Sequence, residues 1–245
     1  MAAYRRAVAK LGAIRAALPT QLAAGQATYA ALIAPVYLGL TDLLLHQAQA
    51  DPTQEQALLR EARATVEQLR TTELRDYFQD ACLGHRTASI ATLAPRTAVI
   101  YPIMLPDGLS VLVGIGERLY QHRVPIPPMR IEIMTRRLLA SLRSQGLAPY
   151  ERDRARTIYD WLIAPVEAEL AAHRVDTLLF VPDGFFRALP LVALWDGERY
   201  LLERFAVATE PGLTLLDPRP LSGQIPNTLL AGLSTPGPVV NELPE

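Results

Sequence analysis

The apolar residues of this chain change period near Pro95, and that change limits the folds open to it. Before it, Ile33, Val36, Tyr37, Leu40, Leu43 and Leu44 recur at spacings of three and four, which predicts one apolar stripe along a helix. Asp51-Pro52-Thr53-Gln54 has the residues of a helix start, with Asp51 to cap, Pro52 for the first turn and Gln54 at the capping-box position. Leu59, Ala62, Val66 and Leu69 carry the stripe of the next helix, and Glu73 to Phe78 reads as a further short helix that Gly84 ends. After Pro95 the pattern is a sheet pattern. Thr97 to Tyr101 is β-branched and aromatic, Leu105-Pro106-Asp107-Gly108 is a turn, and Ser110 to Ile115 is a second apolar run. With Leu119 to Val124 as a third strand, a small antiparallel meander is expected, and Pro102 should lie at an edge or a strand end.

Helical spacing then returns over Met129 to Leu142 and Glu151 to His173. Ile158, Trp161, Leu162, Val166 and Leu170 form the stripe of the second, which Pro165 should kink. Leu178 to Val181 is a short apolar run stopped by Pro182-Asp183-Gly184, as expected for a buried strand that breaks at its carboxyl end. Phe185 to Leu194 is apolar apart from Arg187, and Asp196-Gly197 before Tyr200-Leu201-Leu202 is a hairpin-type turn signal. Asn227 to Leu233 predicts another buried strand, parallel to the one at 178–181. The class is therefore α/β, or α+β taken overall. Two parallel strands and a meander leave sheet edges unpaired, so the chain is expected to end inside a domain.

Leu178 to Leu216, together with the helix IYDWLIAPVEAEL that leads into it, closely resembles the first half of a CHAT domain, a caspase-like cysteine peptidase module. Leu58 to Cys82 resembles the tetratricopeptide-type helices that precede such domains. The resemblance implies a helical, repeat-like part over residues 1–90 and the opening part of a caspase-like sheet domain over 91–245. It also implies a histidine before a glycine at one strand end and a cysteine at the next, the pair that would attack a peptide carbonyl. Neither motif is present: the four histidines lie before residue 174, and Cys82 precedes the meander. The chain itself is expected to be inactive, within a parent protein that resembles a cysteine endopeptidase. A non-catalytic scaffold or signalling module, meeting protein or peptide partners through its helices, is the alternative.

Bulk composition excludes several classes. A net charge of -1 leaves no electrostatic footprint for nucleic acid. No charged residue occurs from Ala16 to Thr41, but Pro19, Gln21, Gly25, Gln26 and Pro35 dilute that stretch, and no membrane helix is expected. Lys10 and Arg15 interrupt any secretory signal, and one cysteine rules out an intrachain disulfide framework, so the expected compartment is the cytoplasm.

Few residues suggest chemistry. Cys82 and His85 have a C-x-x-H spacing, which is half a metal site at most; a packed thiol and a solvated imidazole explain it. His46, His122 and His173 stand in no cluster at ligand spacing, and His173 suits a helix carboxyl end. No metal and no cofactor are expected. Gly232-Leu233-Ser234 starts a nucleophile elbow that Pro236 breaks, and Gly114-Ile115-Gly116 lacks the third glycine of a dinucleotide loop. Pro182, Asp183, Gly184 and Arg187 remain. They fall beyond a strand's carboxyl end, where open α/β sheets bind ligands, so they could line a cleft. A tight turn, with Asp183 bonded to its own backbone and Gly184 supplying a permissive conformation, is the favoured reading.

Overall fold

A helical hairpin with one apolar stripe on each arm must find a second surface to cover it, and here the sheet provides it. The computed structural model describes residues 1–17, 29–78, 93, 95–143 and 149–213. Three helices come first: α1 (Ala2–Ala17), α2 (Tyr29–Ala50) and α3 (Glu55–Phe78). Asp51 accepts the Thr53 amide at 3.0 Å and the Gln54 side-chain amide at 2.9 Å, and α3 begins at Glu55 behind this cap. Glu73 to Phe78 is the last part of α3 and not a separate helix, because nothing between Leu69 and Glu73 breaks the backbone ladder. The expected stop at Gly84 lies outside the described residues. Where α1 crosses α2, Gly39 leaves room for Tyr4: a Cβ there would stand 2.7 Å from the Tyr4 ring.

The sheet has five described strands: β1 (Thr97–Leu105), β2 (Gly108–Ile115), β3 (Arg118–Val124), β4 (Thr177–Phe180) and β5 (Ala206–Thr209), in the order β3-β2-β1-β4-β5. The meander forms as its turns predict. Leu105 pairs with Gly108 across Pro106-Asp107, and Gly116 takes φ +58° in the turn to β3. β4 pairs parallel to β1, Thr97 against Thr177, and β5 pairs parallel to β4. β5 was not foreseen, since its exposed sequence Ala206-Val207-Ala208-Thr209 has too little apolar contrast to read as a strand. The expected strand at Asn227 to Leu233 lies outside the described residues.

Alternation along each strand sorts the side chains onto two faces. Ala98, Ile100, Val111, Val113, Leu178 and Phe180 face one core, with Ile131 and Leu138 of α4 (Pro128–Arg143) and Ile158 and Leu162 of α5 (Pro149–Leu162). Val99, Tyr101, Ile103, Leu112, Leu179 and Val181 face the other, with Tyr37, Leu44, Leu59 and Leu69 of α2 and α3. The result is helix, sheet, helix. Pro165 breaks α5 instead of bending it: a 3-10 turn at Ala164–Val166 intervenes before α6 (Glu167–Ala172). Arg174 adopts φ +50° just after α6, and the Val175 amide reaches back to the Leu170 carbonyl at 3.0 Å, a left-handed helix stop.

Pro102 sits inside β1, against the expectation of an edge or strand end, and pairs with Val111. The Ile100 carbonyl accepts the Val181 amide, so Ile100 and, two residues on, Pro102 turn their backbone groups towards β4. Described β4 pairing stops at Phe180, so the missing N–H of Pro102 points to the β4 side of β1 beyond the last paired rung. Asp196-Gly197 also departs from a full hairpin. One bridge joins Trp195 to Tyr200, after which Leu201–Arg204 turns into the short helix α7, with the Glu203 carboxylate accepting the Tyr200 amide at 2.6 Å. The Asp196 carboxylate fixes this turn by accepting the amides of Glu198 and Arg199 at 2.8 and 2.7 Å and the Arg204 guanidinium at 2.8 Å.

Phe180 is fully buried, so Phe180→Ala should cost about 3–5 kcal/mol in urea unfolding. Burial opposes the Asp196 charge, but the hydrogen bonds from the Arg199 and Glu198 amides and from Arg204 outweigh it and hold its pKa below the ordinary value. A lowered folded pKa contributes stability that is complete above the unfolded value of about 3.9 and is lost as pH falls through the folded value. Asp196→Asn should therefore be less stable than wild type at neutral pH, with a gap that narrows steadily below about pH 3.9.

Candidate functional site

The carboxyl ends of the parallel strands point at the last turns of α3, and charge gathers there. The apolar stripe of α3 ends at Leu69; Glu67, Arg70 and Glu73 then occupy its inner side at three-residue steps. Arg70 is almost fully buried, with 3% of its side chain exposed. Its Nη2 lies 2.6 Å from Asp183 Oδ1, and its Nη1 lies 2.9 Å from Glu73 Oε2. Arg187 closes the group with a short ion pair to Glu73 and stands 4.0 Å from Asp183. Two guanidinium groups thus meet two carboxylates. Burial works against the Arg70 charge, but Asp183 and Glu73 outweigh it and hold its pKa above the usual value.

Asp183 also shapes its own turn. Oδ1 accepts the Gly184 amide at 2.6 Å, Oδ2 lies 3.4 Å from the Met104 amide beyond the end of β4, and Gly184 takes φ +50° at the head of the 3-10 turn Gly184–Ala188. Pro182 is buried, while Gly184 and Arg187 are exposed. The tight-turn account of these four residues agrees with this geometry, and the turn is fastened to α3 as well as to itself.

One helical turn earlier, buried Glu67 accepts the Tyr101 hydroxyl at 2.8 Å and the Leu213 amide at 3.0 Å. Burial first, and the Glu67 charge second, push the Tyr101 pKa well up, so its phenol remains a donor. Glu67 thereby ties the segment after β5 to the middle of β1. Sequence reasoning passed over Glu67, Arg70 and Glu73 because charged residues on a helix read as solvated. The available signal was positional: Arg70 and Glu73 continue the spacing of Val66 and Leu69, where an apolar residue was due.

The histidines lie elsewhere. His46 stands 3.5 Å from Asp42 and 3.6 Å from Asp107, so it does belong to a carboxylate cluster, contrary to the sequence expectation; Asp42 lies one helical turn before it, and the β1–β2 turn brings in Asp107. Arg123 pairs with both carboxylates of that cluster and already supplies the cation. His122 lies 3.2 Å from Glu169. His173 closes α6, with Nδ1 2.8 Å from the Glu169 carbonyl. Cys82, His85 and Gly232-Leu233-Ser234 lie outside the described residues. Among the described residues, no histidine belongs to the Asp183 cluster, whose carboxylates are engaged by arginines and backbone amides.

Residues 152–239 match the family model of the CHAT domain. The match takes in β4, the Asp183 turn, α7 and β5, the segment whose sequence suggested that family. No curated protein matches the chain.

Arg70→Met should destabilise the protein by about 3–5 kcal/mol, because it leaves Asp183 and Glu73 near the interior without their cation. Adding Asp183→Asn to that variant should cost much less than Asp183→Asn costs alone. Urea unfolding of the double-mutant cycle measures this coupling, and additive losses would show that the pair is not coupled.

Proposed function

We propose that this chain carries the opening framework of a caspase-like cysteine peptidase domain and none of its catalytic groups. The observation that carries this reading is the engagement of Asp183. At the strand end where an open α/β sheet would present a working group, the carboxylate is bound to Arg70, to the Gly184 amide and, more distantly, to the Met104 amide. A side chain committed in this way positions a loop and neither activates a nucleophile nor takes up a substrate proton. The family match over 152–239 supports the peptidase framework.

On this reading the helices α1 to α3 have two tasks. They cover one face of the sheet, and through Arg70 and Glu67 they hold the segments after β4 and β5 in place. Their outer surface is the part we assign to protein or peptide partners. The single cysteine supports a reducing, cytoplasmic setting.

The test is a thiol-directed peptide probe together with a mixed peptide substrate pool. The chain should cleave nothing, and Cys82 should react as an ordinary thiol, independent of any peptide bound. Turnover that Cys82→Ala abolishes would overturn the proposal, since it would place a working nucleophile inside this chain.

A further inference from the structure

On the face of the sheet opposite α2 and α3, a groove of about 230 Å³ opens between α4, α5 and α7. Leu138, Leu142, Ala155 and Leu202 make its walls apolar, and Arg152 and Tyr200 stand in its lining. The turn fixed by Asp196 builds one end of it. That turn brings the Trp195 and Tyr200 rings edge to face at 4.7 Å, and the Arg152 guanidinium lies over Trp195 at 4.7 Å and near Tyr200 at 6.0 Å. Its Nε lies 3.4 Å from the Tyr200 hydroxyl. Among the described residues no carboxylate pairs with Arg152, whereas Arg156 on the same helix is paired with Asp160. A guanidinium stacked on rings is held flat, and its in-plane N–H groups remain available to a carboxylate.

The geometry points to a docking groove for a linear segment of a partner protein that presents a large apolar side chain beside an aspartate or glutamate. One further observation fits that occupant. Leu202 is 58% exposed at its edge and offers a partner's apolar side chain a surface to cover. Tryptophan, tyrosine and arginine gathered at one apolar groove are also the residues that most often dominate binding energy. The groove is separate from the Asp183 cluster and does not depend on any peptidase activity.

The experiment is selection of random short peptides on the full chain by phage display, followed by titration of a selected peptide monitored through Trp195 fluorescence. Selected peptides should share Leu, Ile, Phe or Met next to Asp or Glu. Affinity should fall at least about tenfold for Arg152→Gln, for Leu202→Lys, and for a peptide whose acid is replaced by its amide. Leu202 is exposed, so Leu202→Lys should keep the wild-type urea midpoint, while Arg152→Gln, which loses its ring contacts, should lower it only slightly. Three results would overturn the proposal: no shared motif, a motif without an acid, or affinity unchanged in both variants. Nuclear Overhauser contacts from Leu138 or Leu202 to residues 144–148 or 214–245 would do the same, by placing the chain's own segment in the groove.

Discussion

A parallel strand pair made of apolar residues must be covered on both faces, and this requirement organises the molecule. β1 and β4 pair side by side with Ile100 and Phe180 turned one way and Val99 and Leu179 the other. Water is excluded from both sides only when two helical layers are present. α4, α5 and α6 provide one. The other comes from the start of the chain, where α2 and α3 lay the stripe of Tyr37, Leu44, Leu59 and Leu69 on the sheet. Neither part completes its core without the other, so the amino-terminal helices are a structural layer of the sheet.

Covering the sheet with α3 brings that helix over the strand ends, where backbone and loop groups need partners. The solution is a line of charge: Glu67 takes the Tyr101 hydroxyl and the Leu213 amide, while Arg70 and Glu73 take the Asp183 turn. A buried ion pair of this kind adds little net stability over apolar packing, but breaking it is costly. Its effect is positional, since the turn after β4 has one place to sit. The turn so held lies within the stretch that matches the CHAT-domain model.

Legibility in the sequence followed the range of the interactions. The α2 stripe, the Asp51 cap, the two-residue turn at Pro106-Asp107 and the turn at Asp183-Gly184 are local, and each could be read from a few neighbouring residues. The exposed strand β5 could not, because Val207 is its only large apolar residue and its pairing with β4 is a long-range fact. The buried charges of α3 were missed for a related reason. Nothing near Arg70 in sequence announces Asp183, and a charged residue on a helix is solvated in most proteins. The Asp42–His46 step was visible, but Asp107 and Arg123 had to be folded in before its meaning was clear. Pro102 reversed expectation because the rule that keeps proline out of central strands concerns hydrogen-bond donors, and here the neighbouring strand stops before a donor is required.

That proline has a further consequence for how the loop after β4 can vary. A strand that might pair at several offsets is held to one if the partner backbone lacks a donor where the next rung would form. With no N–H at Pro102, extending β4 by two residues would leave a carbonyl without its rung, so the parallel pair has a built-in end-stop. Insertions or changes after Val181 can then alter the loop without pulling its residues into the ladder or slipping the register of Ile100 against Phe180. The alignment of the sheet is thus set within the ladder itself, and the anchoring of the turn beyond it to α3 is a separate constraint.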